Sequence, residues 1–332
     1  MTTRVSTVQP ALPSTESTRI GVAVGDPNGI GPEIAVRAAL ALHAATGERA
    51  VLLAEDWLIA RVCETLQLQQ DAAAHAFDVH HCGALAREDW QPGRISAAAG
   101  AATVAYVREA VALRRAGAIG AVGAAPHCEA AVNASGTAFS GYSGLVADLL
   151  GVPRGQAHLF LEAQGLRVVH CTLHESVQSA VQRLNPAMVY RAALAARETL
   201  QLWGVAEPRL CVVGINPHAG EDGLFGEEDE HVTKPAVRTM RALGWSVDGP
   251  MAADVALSER QHDAYVAMLH DQGHIAVKML SPKGATAWVA GIPLIFASVG
   301  HGAAFDIAGQ GRADATALSD TLVLLHRALT TP

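Results

Sequence analysis

The feature that most constrains the fold of this chain is the regular alternation of short apolar runs with longer amphipathic stretches. Short β-branched runs bounded by glycine predict buried strands, whereas an apolar period of about 3.6 residues predicts helices. The predicted strands are Arg19–Val24, Ala50–Ala54, Ala118–Gly123, Ala157–Leu161, Arg167–Thr172, Leu210–Ile215, Tyr265–Leu269 and Pro293–Val299. The predicted helices are Pro32–Ala44, Ala97–Ala116, Pro186–Trp203, Glu227–Leu243 and Arg312–Ala328. Strands that alternate with helices indicate an α/β fold, with a mostly parallel sheet and helices on both of its faces.

The composition is typical of a folded enzyme and excludes several other classes of protein. The 332 residues suit one large domain or two smaller lobes. Hydrophobic residues make up 50% of the chain and charged residues only 17%, which supports a large core. A net charge of −8 without a basic stripe argues against a nucleic-acid partner. An anionic substrate would therefore have to be bound by local cations rather than by the overall field. No apolar run is long enough to span a bilayer, so no membrane partner is expected.

The cysteines and the N-terminal segment predict a cytoplasmic protein. The five cysteines are Cys63, Cys82, Cys128, Cys171 and Cys211, an odd number without a C-x-x-C spacing. This pattern fits reduced thiols, and Cys171 and Cys211 stand in apolar runs where core packing is expected. Residues 1–18 are rich in Thr, Ser and Pro and lack an apolar segment, so we expect a disordered leader and not a signal peptide.

The chain is expected to form two lobes. A Gly- and Ser-rich composition break at Asn133–Gly144 is a candidate crossing between them. We therefore predict a first lobe of residues 19–135 and 300–332 and a second lobe of residues 136–299. The last predicted helix should pack back onto the first lobe.

Unusual polar residues follow the predicted strands, where ligand sites of α/β sheets collect. The five loops are Gly25–Glu33, Pro126–Glu129, the segment around His174, Asn216–Gly226 and His270–Gly273. We expect these five loops to lie at one rim of the sheet and to line a cleft.

Three histidines, His174, His218 and His270, each come shortly after a predicted strand. Neutral imidazole is a common ligand of Zn²⁺ and similar ions, and three protein ligands with an open position are typical of a catalytic metal site. Separate polar histidines are the alternative, because the linear spacing is long. Asp271 would orient a ligating ring, and His301 is a candidate for cofactor or substrate contact. Other histidines look like surface residues: His43, His75, His80 and His81.

Other candidate functional residues allow both a functional and a purely structural interpretation. The segment GDPNGIGPE (Gly25–Glu33) suggests a phosphate cradle before a helix, but it lacks the G-x-G-x-x-G spacing and a Walker lysine. Its alternative is a turn with a helix start at Pro32. Asp254 and Lys278 are either solvated charges or groups that bind a carboxylate or move a proton. The glycine-dense Ser298–Gly311 would allow a dinucleotide to approach closely.

Together these blocks resemble a known family. GDPNGIGPE, INPHAGEDGLFG, AMLHDQGHIAVK and SVGHGAAFDIAGQGRAD, in this order between about Arg19 and Leu325, are similar to the 4-hydroxythreonine-4-phosphate dehydrogenases. The resemblance implies a two-lobed α/β/α fold like isocitrate and isopropylmalate dehydrogenases, with the active site in the interlobe cleft. It also implies a homodimer with a shared active site, NAD as cofactor, and one divalent metal. Zinc is the preferred metal, with Mg, Mn, Co or Fe as alternatives.

The resemblance also assigns roles to residues. The family's metal ligands fall on His174, His218 and His270, and its substrate-contacting acid and lysine fall on Asp254 and Lys278. The cofactor-binding candidates are Asp271, Gly300, His301, Gly302 and Asp314.

The chain departs from the phosphate-handling members of this family at four places. A Gly-His-Thr-Glu block reads Gly141-Tyr142-Ser143-Gly144 here, and an Asn-Lys pair reads His127-Cys128. An expected arginine is Phe296, and an expected asparagine is Ala287. Each loss removes a donor or cation that a phosphate needs, so a phosphorylated substrate is not expected.

The departures resemble one branch of the family, the terephthalate dihydrodiol dehydrogenases. The matching segments are APHCEAA, AFSGYSGLVADLLG, TLHESVQSA and YVAMLHDQGHIAVKML. The resemblance implies oxidation by NAD and decarboxylation of 1,2-dihydroxycyclohexa-3,5-diene-1,4-dicarboxylate to protocatechuate. The expected substrate contacts are His127, Tyr142, Ser143 and Phe296, the first two as donors to the distal carboxylate and Phe296 as an apolar wall. Three rivals stay open: a dehydrogenase of 4-hydroxythreonine 4-phosphate or a related compound, a metal-hydroxide hydrolase, and a two-lobed binding protein.

Overall fold

The computed structural model describes residues 17–282 and 284–331; most of the expected leader, residues 1–16, lies outside this part. The strands are β1 (Ile20–Ala23), β2 (Ala50–Ala54), β3 (Phe77–His81), β4 (Ala121–Ala124), β5 (His158–Ala163), β6 (Leu166–His170), β7 (Leu210–Val213), β8 (Val247–Met251), β9 (Ala264–Ala267), β10 (Thr286–Ala290) and β11 (Phe296–Val299). The helices are α1 (Gly31–Thr46), α2 (Asp56–Thr65), α3 (Gln70–Ala76), α4 (Ala97–Arg115), α5 (Glu129–Ala134), α6 (Tyr142–Leu150), α7 (Val177–Arg183), α8 (Pro186–Leu202), α9 (Glu228–His231), α10 (Thr233–Ala242), α11 (Ala253–Glu259), α12 (His270–Leu280) and α13 (Thr316–Thr330).

The strands form one sheet in the order β3-β2-β1-β4-β11-β10-β5-β6-β9-β7-β8. Most neighbours are parallel; the antiparallel pairs are β11–β10, β10–β5 and β5–β6. Alternate side chains of β5 enter two different apolar clusters, Phe160 in one and Leu161 in the other. Both faces of the sheet are therefore buried, and the predicted α/β class with helices on both faces is confirmed.

The polarity of the sheet corrects the expectation of a single rim. The three antiparallel pairings reverse the direction between β11 and β6, so β1, β4 and β11 end at the opposite edge from β6, β9 and β7. Gly25–Glu33 and Pro126–Glu129 therefore do not share an edge with the loops that follow β6, β7 and β9. The prediction of five loops at one rim was wrong, because it assumed parallel strands throughout.

Most predicted elements are present, and the misses have physical reasons. The strands β3, β8 and β10 were not predicted. The first two are edge strands, where polar residues and a proline at Pro250 are tolerated and the apolar pattern is weak. The third, β10, is an interior strand that pairs antiparallel with both β11 and β5. The predicted helix Glu227–Leu243 is two helices, broken at Val232 with φ −116° and ψ −67°. The last helix, α13, packs against α1, β4 and β11.

The division into residues 19–135 with 300–332 and residues 136–299 stays a prediction. In the described part of the chain no helix is both long and apolar enough to cross a membrane. Cys171 and Cys211 are buried free thiols, as their apolar surroundings predicted.

Candidate functional site

A cavity of about 1110 Å³ gathers residues from both edges of the sheet. It is lined by His127 after β4, by Tyr142 and Ser143 at the start of α6, and by His170 and His174 at and after the end of β6, together with His274 and Lys278 of α12 and Gly300, His301 and Gly302 after β11. This cavity is the candidate active site.

His174 and His270 lie next to each other, with ring centroids 5.2 Å apart. They come together because β6 and β9 are adjacent and parallel, so that the segments that follow them share an edge. Nδ1 of His174 is 3.2 Å from the carbonyl oxygen of Ser140, and Nδ1 of His270 is 2.7 Å from a carboxylate oxygen of Asp271. A carbonyl or carboxylate only accepts, so Nδ1 is the donor in both rings. In the neutral form of each ring, Nε2 then has the lone pair, the arrangement usual in metal-ligating histidines.

His218 follows β7, the other neighbour of β9, in the turn Pro217–Gly223. It is exposed, and its ring centroid is 5.8 Å from that of Phe225. The segments with His174, His270 and His218 thus share one edge of the sheet. Among the described residues, however, no group of three or more His, Cys, Asp or Glu side chains is arranged to hold a metal ion. The structure brings two of the three predicted ligands together and leaves His218 apart.

The backbone of the turn with His218 is unusual. The residues from His218 to Asp222 all have positive φ, between 42° and 80°, which is strained for side chains other than glycine. Asp229, which is fully buried, holds the entry to the turn by accepting from the amides of Ile215 and Asn216 at 2.9 and 3.0 Å. Strain that is held in place by buried hydrogen bonds is a common feature of functional sites.

Three cavity histidines, His158, His170 and His274, were missed from the sequence. Nε2 of His170 is 3.2 Å from Nδ1 of His274, whose ring stacks on that of His270 at a centroid distance of 3.7 Å. Burial lowers the pKa of His170 to about 3 and that of His274 to about 4, so both are neutral. The signal available was the spacing of His270 and His274, four residues apart on one helix face.

The two predicted proton-handling residues are in different places. Lys278 lines the cavity, its Nζ donates to the carbonyl oxygen of Gly300, and burial lowers its pKa. Asp254 is exposed at the start of α11 and lines a separate groove, together with Asp271. Within one chain the structure does not bring Asp254 to the cavity.

Two of the predicted substrate contacts, His127 and Tyr142, form an aromatic wall of the cavity, and Phe139, which was not predicted, packs against both. His127, Phe139 and Tyr142 pack edge to face at centroid distances of 4.5 to 5.9 Å. The hydroxyl of Tyr142 donates to the carbonyl oxygen of Ala125 at 2.9 Å, so its proton is already used. Phe296 is fully buried and packs against Tyr142 instead of lining the cavity.

Burial lowers the pKa of His127 to about 4, and its Nδ1 is buried without a hydrogen-bond partner among the described residues. His127 is therefore a neutral group with one unused polar atom at the cavity wall. Ser143 and Ala287 also line the cavity.

Of the candidate cofactor-binding residues, three line the cavity and two lie outside it. Gly300, His301 and Gly302 line the cavity, and a Cβ built on Gly302 would meet nothing within 4 Å. Asp271 instead contacts Nδ1 of His270, in agreement with the prediction that it orients a histidine ring. Asp314 accepts from the amide and the hydroxyl of Thr316 at the start of α13.

The segment Gly25–Glu33 is a structural turn. The Asp26 carboxylate accepts from the amide of Asn28 at 2.9 Å, and the Asn28 side chain donates to the carbonyl of Arg94 and accepts from the amide of Gln91. The amide of Ile30 donates to Ala303. The amides of Asn28 and Ile30 are thus used by protein acceptors, as a turn requires. Burial raises the pKa of Asp26 to about 6, and its Oδ2 has no partner in the described part of the chain.

Arginines also line the cavity, although the chain is acidic overall. Arg154 and Arg183 form ion pairs with Asp148 and Glu175. Among the described cavity-lining arginines, Arg191 of α8 is the one without a carboxylate within ion-pair distance. It is a local cation of the kind that an anionic substrate requires.

Comparison with known proteins gives consistent results. Residues 36–324 match the family of the pyridoxal phosphate biosynthetic protein PdxA. A 1,2-dihydroxy-3,5-cyclohexadiene-1,4-dicarboxylate dehydrogenase of a Comamonas species is 47% identical over 92% of this chain and 96% of its own length. A D-threonate 4-phosphate dehydrogenase of Cupriavidus necator is 38% identical over 91% and 95%. The crystal structure of a terephthalate 1,2-cis-dihydrodiol dehydrogenase from Burkholderia xenovorans LB400 superposes with a TM-score of 0.69, 44% identity, and coverage of 93% and 97%.

Proposed function

This chain belongs to the family of the pyridoxal phosphate biosynthetic protein PdxA, and we propose that it oxidises and decarboxylates terephthalate cis-dihydrodiol to protocatechuate with NAD and a divalent metal. The observation that carries the proposal is the cavity wall of His127 and Tyr142, whose rings pack edge to face and are supported by Phe139. This wall is neutral and aromatic at the place where phosphate-handling relatives carry cations and donors. It suits the face of a ring substrate and offers little to a phosphate.

The proposed reaction balances. The C2 hydroxyl of 1,2-dihydroxycyclohexa-3,5-diene-1,4-dicarboxylate loses a proton and C2 loses a hydride to NAD, which gives a ketone beside the C1 carboxylate. The bond between C1 and this carboxylate then breaks, and carbon dioxide leaves. The electron pair of that bond forms the C1–C2 double bond, the former ketone oxygen takes up a proton, and the ring becomes the aromatic diol protocatechuate.

The donor set of His174 and His270 fits a divalent metal, since both expose Nε2 at the same edge of the sheet. We propose His218 as the third ligand, from this chain or from a second copy. A bound divalent cation would act as a Lewis acid on the substrate's vicinal oxygens. Asp271 would keep the ring of His270 in its ligating tautomer.

We assign proton handling to Lys278. It is the half-buried amine at the cavity, and burial lowers its pKa below the ordinary lysine value, which makes its proton easier to release. Gly300, His301 and Gly302 would border the nicotinamide cofactor, because the open space beside Gly302 allows close approach.

We assign the substrate's distal carboxylate to Arg191 rather than to His127 and Tyr142. Both of these groups are neutral, and the Tyr142 hydroxyl is already bonded. An arginine without an acid partner in a cavity wall is suited to bidentate binding of a carboxylate.

We also propose a homodimer formed through α11 and α12. Val255, Ile275 and Met279 are exposed there at 41%, 60% and 80%, beside a groove lined by Leu166, Leu257 and Leu280. Contiguous exposed apolar surface is typical of interfaces. Asp254 lies on this face, so a contact there would place its carboxylate beside a second copy.

The alternative is a dehydrogenase of a phosphorylated hydroxy acid, which the 38% identical relative favours by its name. The aromatic wall argues against it.

Replacing His218 tests the metal assignment. His218→Ala should abolish turnover and lower the bound metal, with an unchanged melting temperature, because the exposed ring contributes little packing. Metal content by elemental analysis and NAD reduction are measured together. Undiminished turnover of the metal-loaded variant would exclude His218 as a ligand.

A further inference from the structure

His170 and His274 form a hydrogen-bonded chain at the cavity. Nδ1 of His170 is 3.1 Å from the carbonyl oxygen of Leu159, and its Nε2 is 3.2 Å from Nδ1 of His274. Nδ1 of His274 is also 3.3 Å from the carbonyl oxygen of His270. Each contact joins a ring nitrogen to a defined partner.

These contacts fix the tautomers of both rings. The carbonyl of Leu159 only accepts, so Nδ1 of His170 carries the proton and its Nε2 is an acceptor. His274 must then donate from Nδ1, and the carbonyl of His270 requires the same. The remaining nitrogen of His274, Nε2, consequently has a lone pair and no proton.

Nε2 of His274 is available to a ligand. His274 is partly exposed and lines the cavity together with Lys278. No hydrogen-bond partner of this Nε2 is found among residues 17–282 and 284–331, and it is not one of their buried unpartnered atoms.

Close packing around His170 holds its ring in the position from which it contacts His274. A Cβ on Gly273 would lie 2.3 Å from Nε2 of His170, so the ring fits only against a glycine. His170 itself is only 1% exposed, and both of its ring nitrogens already have hydrogen-bond partners. It can act only through His274.

We propose that His274 binds the diol edge of the substrate, its Nε2 accepting a hydrogen bond from a hydroxyl, and that His170 is the positioning residue that holds His274 in this tautomer. The inference rests on the proposed function for the identity of the ligand. A lone pair accepts from a hydroxyl and repels a carboxylate or phosphate oxygen. The chain His170–His274 therefore orients the ring, with its hydroxyls toward α12 and its distal carboxylate away from it.

The tautomer is tested without any ligand. Nitrogen-15 NMR of the full-length, histidine-labelled protein should show Nε2 unprotonated and Nδ1 protonated for both residues near neutral pH, with signals assigned from His170→Asn and His274→Asn. A protonated Nε2 on His274 would overturn the proposal.

Ligand binding provides the second test, by calorimetry with protocatechuate, which has two hydroxyls, and terephthalate, which has none. His274→Asn keeps a donor toward His170 but does not reach the ligand, so its affinity for protocatechuate should fall about fivefold, as for one hydrogen bond, and that for terephthalate should not change. His274→Gln, whose longer amide brings an acceptor to the position of Nε2, should recover much of the loss. His75→Asn, at an exposed site on α3, is the control and should not change either affinity.

The outcomes distinguish a wrong role for His274 from a wrong proposed function. Equal loss for both ligands, or no loss in His274→Asn, would overturn the role of His274 while the proposed function stands. Failure of the wild-type protein to bind either ligand would overturn the proposed function, and this inference with it.

Discussion

At the scale of single residues, burial holds several histidines around the cavity neutral. The pKa is lowered to about 4 for His127, His158 and His274 and to about 3 for His170, in each case mainly by desolvation of the charged form. In the unfolded chain these groups protonate near the ordinary histidine pKa of 6.5. The unfolded state thus binds more protons in acid, and the folded state loses stability as pH falls from above 6.5 toward 4.

Replacing His158 tests this linkage at one position. His158 is 5% exposed, its Nδ1 contacts the carbonyl oxygen of His170 at 3.2 Å, and Arg191 also disfavours its charge. His158→Gln keeps a donor but does not titrate, so the loss of unfolding free energy between about pH 8 and pH 5 should shrink by about 2 kcal/mol. Urea titrations at the two pH values measure this difference. An unchanged pH dependence would contradict a depressed pKa of His158, whatever the absolute stability of the variant.

Arg191 offers a test of the carboxylate assignment. Arg191→Ala should weaken binding of the dicarboxylate terephthalate about ten- to a hundredfold, the usual worth of a charge-assisted hydrogen bond, and leave binding of the monocarboxylate benzoate nearly unchanged. Arg154→Ala is the matched control, because this cation lines the same cavity but is paired with Asp148. Equal effects of the two substitutions on terephthalate would mean that only general charge matters.

Sequence reasoning located some of these residues better than others. His174 and His270 were placed together correctly because their position follows from strand order and direction. Phe296 was expected at the cavity surface, but it is buried and packs against Tyr142. Whether a side chain lines a cavity or lies beneath another one depends on tertiary packing, which no local sequence pattern encodes. His170 was missed because it lies inside an apolar run that looked like an ordinary strand.

At the scale of elements, the edge formed by the ends of β6, β9 and β7 depends on a few buried hydrogen bonds. The Gln272 side chain accepts from the amides of Met268 and Leu269 and donates to the carbonyl of Gly214 at 2.8 Å. It thereby ties the start of α12, with His270, to the segment that leads to His218. Asp229 holds the same segment from α9.

Removing one acceptor from Asp229 should loosen the turn that carries His218. The side chain of Asp229 accepts three hydrogen bonds while fully buried, so Asp229→Asn leaves the amide of Ile215 or of Asn216 without its acceptor and should cost about 1–3 kcal/mol of unfolding free energy. The affinity for a divalent metal should fall as well. Asp222→Asn, which removes the ion pair of an exposed carboxylate with Lys234, is the control and should leave the stability nearly unchanged. Unfolding and metal titrations measure both effects. Full metal affinity in Asp229→Asn would contradict a role of the turn in the metal site.

The elements themselves were predictable where local signals agreed. The strand Ala50–Ala54 and the start of α4 at Ala97 are as predicted, since an apolar run and a serine cap at Ser96 define them. The glycine-rich loop Asn216–Gly226 indicates unusual backbone angles, but not which residues adopt them. Four of the five left-handed residues, His218, Ala219, Glu221 and Asp222, are not glycine.

At the scale of the whole molecule, the sheet explains how the cavity receives residues from both of its edges. The antiparallel strands β10 and β5 stand between two parallel groups that run in opposite directions. His127 and Gly300 come from one group, and His174 and Lys278 belong to the other. An α/β class could be predicted from alternation alone, whereas this reversal depends on which strands pair, and that information is non-local.

The substrate is the central claim, and one parallel assay tests it most directly. The purified, metal-loaded protein is given NAD and either terephthalate cis-dihydrodiol or 4-hydroxythreonine 4-phosphate, and reduced NAD and carbon dioxide are measured in both. We predict that the diol yields reduced NAD, carbon dioxide and protocatechuate in equal amounts and that the phosphorylated compound yields none of them. Turnover of the phosphorylated compound alone would contradict the account.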